Sequence, residues 1–299
     1  MKTRSITVAL VCAGLAGAAL GQVSTLKKVQ DSGEIVMGVR ESSSPLSFTL
    51  GNNQYAGYHV DLCRAIIEQI SKTIGKPVSI KYTPVTSQNR IPLVQNGTVD
   101  LECGSTTNNA ARQKDVAFGL TTYVTEVRTA VKVKSGITSI AQLGNKTVAT
   151  TTGTTSVQTL RKHQRAQKIS FKYLFGKDHA DAFLLLETGR ADAFVMDDNI
   201  LAGLIANAKD PGEYKIVGEV LSVEPIAVMI RRDDPGMKRL MDLIIRNMMA
   251  SGELAKLYAK WFTSPIPPKN ANVNLPMGAT LKGLFANPND NPMESYAVK

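Results

Sequence analysis

The phrase Leu93-Val-Gln-Asn-Gly-Thr-Val-Asp100 returns in altered dress as Leu185-Leu-Glu-Thr-Gly-Arg-Ala-Asp192. In each copy a helical run stops at a glycine, Gly97 or Gly189, which ends the helix in left-handed geometry before a strand begins. Working outward from the first copy, residues 90–96 read as a short helix and residues 99–103 as a strand. Upstream lie strands at 35–39 and 78–84. Between them runs an amphipathic helix, 60–74, with Asp61 in its first turn and Gly75-Lys-Pro77 at its end. Around the second copy, strands are expected at 146–150, 171–174 and 193–196, and helices at 154–165, 180–187 and 200–208. Strand and helix alternate in both units, which argues for α/β layers with mainly parallel sheets flanked by helices. A shared rhythm in two units points to two lobes of related design and not to a solenoid.

Two long extended stretches, 121–133 and 217–231, flank the second unit. They imply that this unit is inserted into the first, with the extended stretches as hinge strands. The division expected is lobe 1 at 22–126, lobe 2 at 127–219 and a return to lobe 1 at 220–299. A helix pair over 235–262 closes the pattern, and the Pro/Asn-rich tail from Pro265 is expected to wrap the surface with little regular structure.

The 299 residues are 43% hydrophobic and 20% charged, which is globular and not disordered. The first 21 differ: Lys2 and Arg4, then an apolar run at 6–20, then Ala19-Leu-Gly21. This is the pattern of a secretory signal peptide cleaved before Gln22, and the run is shorter than the roughly 20 residues of a spanning helix. Loss of Lys2 and Arg4 takes the formal charge from +10 to +8. Basic side chains are scattered and aromatics are only 6%, so the excess argues against nucleic acid and fits a small anion. The densest basic run, 161–165, reads as a solvated helix face. Secretion permits a disulfide between Cys63 and Cys103, and the sequence leaves open whether geometry allows it. No His/Cys pattern has metal-ligand spacing.

The chemistry gathers at the ends of strands, where open α/β sheets bind ligands. Arg40 follows the first strand. Thr86-Ser-Gln-Asn-Arg90 precedes a helix, with Ser87 placed as a cap. Cys103-Gly-Ser-Thr-Thr-Asn-Asn109 leads to Arg112, and Thr151-Thr-Gly-Thr-Thr-Ser156 opens a helix. Any one of these has a bland reading: Ser/Thr runs cap helices, a lone Arg decorates a surface, Asp197-Asp198 caps a helix, and His179 serves as a structural hydrogen-bonder. Their convergence in two matched units is what points to guanidinium forks and helix N-termini holding a small anion.

These stretches, together with Gly38-Val-Arg-Glu-Ser42, Lys177-Asp-His179, Met196-Asp-Asp198 and the ending Trp261-Phe-Thr-Ser-Pro-Ile-Pro-Pro-Lys-Asn270, resemble the periplasmic glutamate/aspartate-binding proteins of ABC transporters. The resemblance covers essentially the whole mature chain. It implies the two-lobed periplasmic-binding-protein type II fold, capture of an acidic amino acid by hinge closure, delivery to a membrane permease, a monomeric state and no cofactor. Carried over by residue, Arg112, Thr107 and the start of the helix at Thr155 would hold the α-carboxylate. Asp197 and Ser105 would receive the α-ammonium. Arg40, Arg90, Ser87 and His179 would surround the distal carboxylate. The rival on the same scaffold is a secreted cyclohexadienyl-type dehydratase, for which Glu41 or His179 would have to act as acid or base. Glutamate and aspartate are not separated at this level.

Overall fold

The computed structural model describes residues 24–296, so the signal-peptide reading lies outside the described residues. In the first segment of chain come α1 (Thr25–Ser32), β1 (Glu34–Val39), β2 (Ser42–Ser43), β3 (Ser47–Gly51), β4 (Gln54–Ala56), α2 (Tyr58–Ile74), β5 (Ser79–Pro84), α3 (Arg90–Gln95), β6 (Leu101–Glu102) and β7 (Val116–Phe118). The middle segment holds β8 (Tyr123–Lys132), β9 (Thr147–Thr151), α4 (Thr155–Ala166), β10 (Lys172–Gly176), α5 (His179–Glu187), β11 (Ala193–Asp197), α6 (Asp198–Ala206) and β12 (Tyr214–Ile226). The last segment supplies β13 (Met229–Arg231), α7 (Pro235–Ala250), α8 (Glu253–Phe262) and α9 (Ala279–Ala286).

The larger sheets run β5-β1-β6-β13-β7 and β10-β9-β11-β8-β12. Their first three strands correspond: β1 and β9 each pair in parallel with a strand on either side. Each sheet turns antiparallel where the chain crosses between lobes or returns, at β13 in the first and at β8 and β12 in the second. A strand coming back from the other lobe enters its sheet from the opposite end, which is why the parallel pattern stops there. A small antiparallel sheet, β2-β3-β4, caps the first lobe. Gly97 and Gly189 both have positive φ, 76° and 72°, as the repeated phrase requires.

The largest core lies between the first sheet and α1, α2, α7, α8 and α9. Ile35, Met37, Leu62, Ile66, Leu101, Ile245 and Phe262 are among the side chains sealed inside it. Tyr58, Tyr123, Tyr258 and Phe262 pack there ring against ring, with Tyr123 and Phe262 stacked at 4.7 Å between centroids. The second sheet carries one core under α5 and α6, including Phe183 and Phe194, and another under α4, including Leu160. Cys63 on α2 and Cys103 just past β6 are joined by a disulfide with 6.3 Å between Cα atoms, which closes the question left open by the sequence. The tail departs from expectation. Residues Ala279–Ala286 form a helix because Leu281 and Leu284, three apart, bury one face against the main core.

Candidate functional site

The strand ends of the two lobes face each other across a closed cleft. A small cavity of about 10 Å³ remains inside, lined by Ser87, Arg90, Ser105, Thr107, Thr154, Thr155, His179, Met196 and Asp197. Seven of the nine residues read from the sequence therefore line one small space, and Thr154 and Met196 complete it. Arg40 stands directly behind the wall, donating from Nη1 to Ser105 Oγ at 3.2 Å with Nη2 3.3 Å from His179 Nε2. Arg112 sits at the outer edge, half-buried, donating to the Thr107 carbonyl at 2.9 Å and across the cleft to the Gly153 carbonyl at 3.4 Å.

Each side chain reaches this place through its backbone. Arg40 follows β1, and Ser105 and Thr107 follow β6. Thr155 begins α4 with Thr154 at its N-cap, and His179 begins α5 behind the capping box of Asp178 and Asp181. Asp197 ends β11 at the N-cap position of α6. Ser87 does not cap α3, as the sequence suggested. Thr86 and Asn89 close that turn on each other, and Asn89 holds the N-cap position. The Ser87 hydroxyl is thereby buried without a protein partner, as are Nε and Nη1 of Arg90 and Nε of Arg40.

A guanidinium sealed from water at 0% or 2% exposure, as at Arg40 and Arg90, costs several kcal/mol unless it is paired. Burial, and then the charge of Arg112, pull Arg90 down to about 9, against the opposing pull of Glu102. Burial and the neighbouring Arg40 lower His179 to about 3, so its imidazole is neutral at neutral pH. Its Nδ1 lies 2.9 Å from the Thr151 hydroxyl. Asp197 is pushed the other way: burial first, then the charges of Glu224 and Asp198, raise its carboxyl well above the usual range. A cation placed against Asp197 and an anion placed against Arg90 would each relieve a strain already present in the cavity.

Four acidic or hydroxyl groups beyond the nine read from the sequence contribute to the site. Glu224, on β12 and fully buried, accepts from Thr107 at 2.6 Å and Thr155 at 2.7 Å through one carboxylate oxygen, and from Ser222 at 2.7 Å through the other. The hydroxyls of Thr107 and Thr155 are thus committed to a hinge-strand carboxylate. Asp178 pairs with Arg40 Nη2 across the cleft and accepts from Ser42 at 2.9 Å. Glu102 is fully buried beside Arg40, with one oxygen taken by Thr106 at 2.6 Å. Ser43 accepts from Ser105. Glu224 is one of three charged residues inside the extended stretch 217–231, and Asp178 belongs to Lys177-Asp-His179, one of the stretches that carry the family resemblance.

The lobes are shut by these contacts, with Ala180 N also donating to Ser42 Oγ at 3.2 Å. Among the described residues no group of His, Cys, Asp and Glu is arranged to hold a metal ion, and no helix is long and apolar enough to cross a membrane.

Residues 35–264 match the family of bacterial extracellular solute-binding proteins, family 3. The chain belongs to that family. Among its family 3 relatives is the glutamate/aspartate import solute-binding protein of Escherichia coli (strain K12), 46% identical over 97% of each chain. The L-glutamate/L-aspartate-binding protein of Pseudomonas aeruginosa is 43% identical over 90% of each. Both are named as binding proteins, and neither as an enzyme. Solved structures agree on the fold. A mutant arginine-binding protein from T. maritima superposes with a TM-score of 0.71 at 25% identity, covering 80% of this chain and 99% of its own. An ancestral amino acid-binding protein, described as a precursor of cyclohexadienyl dehydratase, gives 0.69 at 28% identity, covering 80% of this chain and 99% of its own.

Proposed function

We propose that this family 3 protein captures L-glutamate or L-aspartate between its lobes and delivers it to the permease of an ABC importer. The observation that carries the reading is the pairing of opposite needs in one cavity. Arg90, with Arg40 behind it, is buried short of counter-charge, while Asp197 is buried short of a cation. An amino acid with a second carboxylate supplies both. Arg112, Thr107 and the start of α4 at Thr155 take the α-carboxylate, Thr107 and Thr155 through backbone groups since their hydroxyls serve Glu224. Asp197 and Ser105 take the ammonium, and Arg40, Arg90, Ser87 and His179 take the distal carboxylate. The relatives' names support the same ligand class.

The lobes divide at 126/127 and 219/220 on β8 and β12, and these strands are the hinge. Ligand favours the closed form by touching both lobes at once. The protein is exported by its leader, works in the periplasm, and does so as a monomer that docks and releases.

Isothermal titration of ligand-stripped protein tests the reading. Glutamate and aspartate bind one-to-one, and glutamine binds at least about 100-fold more weakly. That gap corresponds to roughly 3 kcal/mol for leaving a buried cation unpaired. Glutamine within about tenfold of glutamate, a gap of only ~1.4 kcal/mol, would refute the distal-carboxylate assignment.

A further inference from the structure

The family match ends at residue 264, yet the chain goes on in a defined path. Ile266 and Ala271 bond to each other, Leu275 N donates to the Phe262 carbonyl, and α9 packs on the main core. The segment after α9 then runs back to the loop between β6 and β7, which carries Thr107 and Arg112. There the contacts are reciprocal. Asn108 Nδ2 donates to the Asp290 carbonyl at 2.8 Å, and Met293 N donates to the Asn108 carbonyl at 2.9 Å. Ala110 N donates to Glu294 Oε2 at 3.0 Å, and Gln113 Nε2 reaches the Asp290 carbonyl at 3.5 Å. Lys238 on α7 anchors the segment through Asp290 Oδ2 at 2.8 Å, and Thr121 N holds the Asn289 carbonyl at 2.9 Å.

We propose that residues 289–294 are a positioning element for the α-carboxylate arm of the ligand site. They grip Asn108 and Ala110, two of the four residues between Thr107 and Arg112. Asn108 is completely buried, and its own N–H donates to the Pro225 carbonyl on β12, one residue from Glu224. The loop is therefore pinned from the tail on one side and from the hinge strand on the other. A loop held in its bound geometry before ligand arrives loses less conformational entropy on binding, which raises affinity without any new ligand contact. The inference rests on Arg112 taking the α-carboxylate.

Met293→Pro is the sharpest probe. Residue 293 begins a 3₁₀ turn, where proline fits, and Pro292 before it is already extended with ψ 162°. The substitution deletes the N–H given to Asn108, along with the half-buried methionine side chain. It is combined with Glu294→Ala in the full chain, and binding of glutamate is compared with binding of glutamic acid α-amide, which lacks the α-carboxylate. The expected result is a glutamate Kd raised about tenfold while that of the α-amide changes less than threefold. Adding Arg112→Lys should cost less in the tail variant than in the parent, because the two act on one carboxylate. Equal weakening of both ligands would make the tail a general stabiliser, and no weakening of either would make it inert; each overturns the proposal. If the unaltered protein binds the α-amide as tightly as glutamate, the Arg112 assignment itself fails and the clamp falls with it.

Discussion

Gly203 lies within α6, in the second lobe, against the Ser44 backbone of the first. A Cβ at that position would stand 2.4 Å from the Ser44 carbonyl oxygen and 2.9 Å from its carbon. Gly203→Ala therefore acts with opposite sign on the two forms of the protein. Within the helix, alanine is favoured over glycine by roughly 1 kcal/mol, so an open, ligand-free molecule gains stability. That gain amounts to about 2 °C in Tm for a chain of this size. In the closed form, α6 and the Ser44 loop must separate by about 1 Å to reach ordinary contact, and overpacking of this kind costs about 1–3 kcal/mol. Only the closed form carries the cost, so it appears as affinity: glutamate binds about 5- to 150-fold more weakly. Calorimetry gives the Kd, thermal melts of ligand-free protein give the first effect, and small-angle scattering reports compaction at saturating ligand. A Kd within twofold of the parent, with unchanged compaction, would refute closure at this contact as a requirement for binding.

Asp178→Asn removes the interlobe partner of the fully buried Arg40, and losing one member of a buried pair costs about 3–5 kcal/mol. Ligand compensates part of this, so glutamate affinity should fall roughly 10- to 100-fold (~1.4–2.7 kcal/mol); an unchanged Kd would remove Asp178 from the latch. Burial alone would raise the Asp178 carboxyl, but Arg40, His179 and the bonds from Ser42 and Arg40 outweigh it and hold it at about 2. Its contribution is therefore complete above 3.8, is lost as pH falls towards 2, and should leave closure flat between pH 5 and 8. His59 bridges the Gly104 carbonyl and the Thr122 hydroxyl. Its burial, only partly offset by the Gly104 bond, lowers it to about 4. The unfolded chain protonates this imidazole first, so it contributes a loss of up to ~1.4 kcal/mol per pH unit as pH falls from 6.5 to about 4. Asp197, raised by burial, titrates with the opposite sign, so the measurable quantity is a difference between proteins. Urea midpoints of His59→Asn should fall less steeply with acid than those of the parent, and parallel profiles would show that His59 is not the titrating group.

Local pattern made much of this molecule legible. The repeated phrase ending at Gly97 and Gly189, the alternation of strand and helix, and the placing of polar loops after strands are all set within a few residues. Backbone preference and apolar periodicity act over that same distance. They placed β1, β9 and β11 to within a residue or two, and they put Arg90, Ser105, His179 and Asp197 at strand or helix ends before any cavity was seen. What periodicity cannot carry is the partner of a side chain far along the chain. Thr155 and Glu224 are 69 residues apart, and Arg40 and Asp178 are 138 apart. Whether Cys63 meets Cys103 depended on how α2 lies on the first sheet. The helix in the tail, the grip of Asp290 and Glu294 on the loop of Arg112, and the approach of Gly203 to Ser44 depended likewise on how rigid pieces dock. Sequence alone determined which groups stand at the ends of strands, because local hydrogen bonding and burial decide that; the tertiary structure alone decided which of those groups share a buried charge, because that depends on distances between lobes.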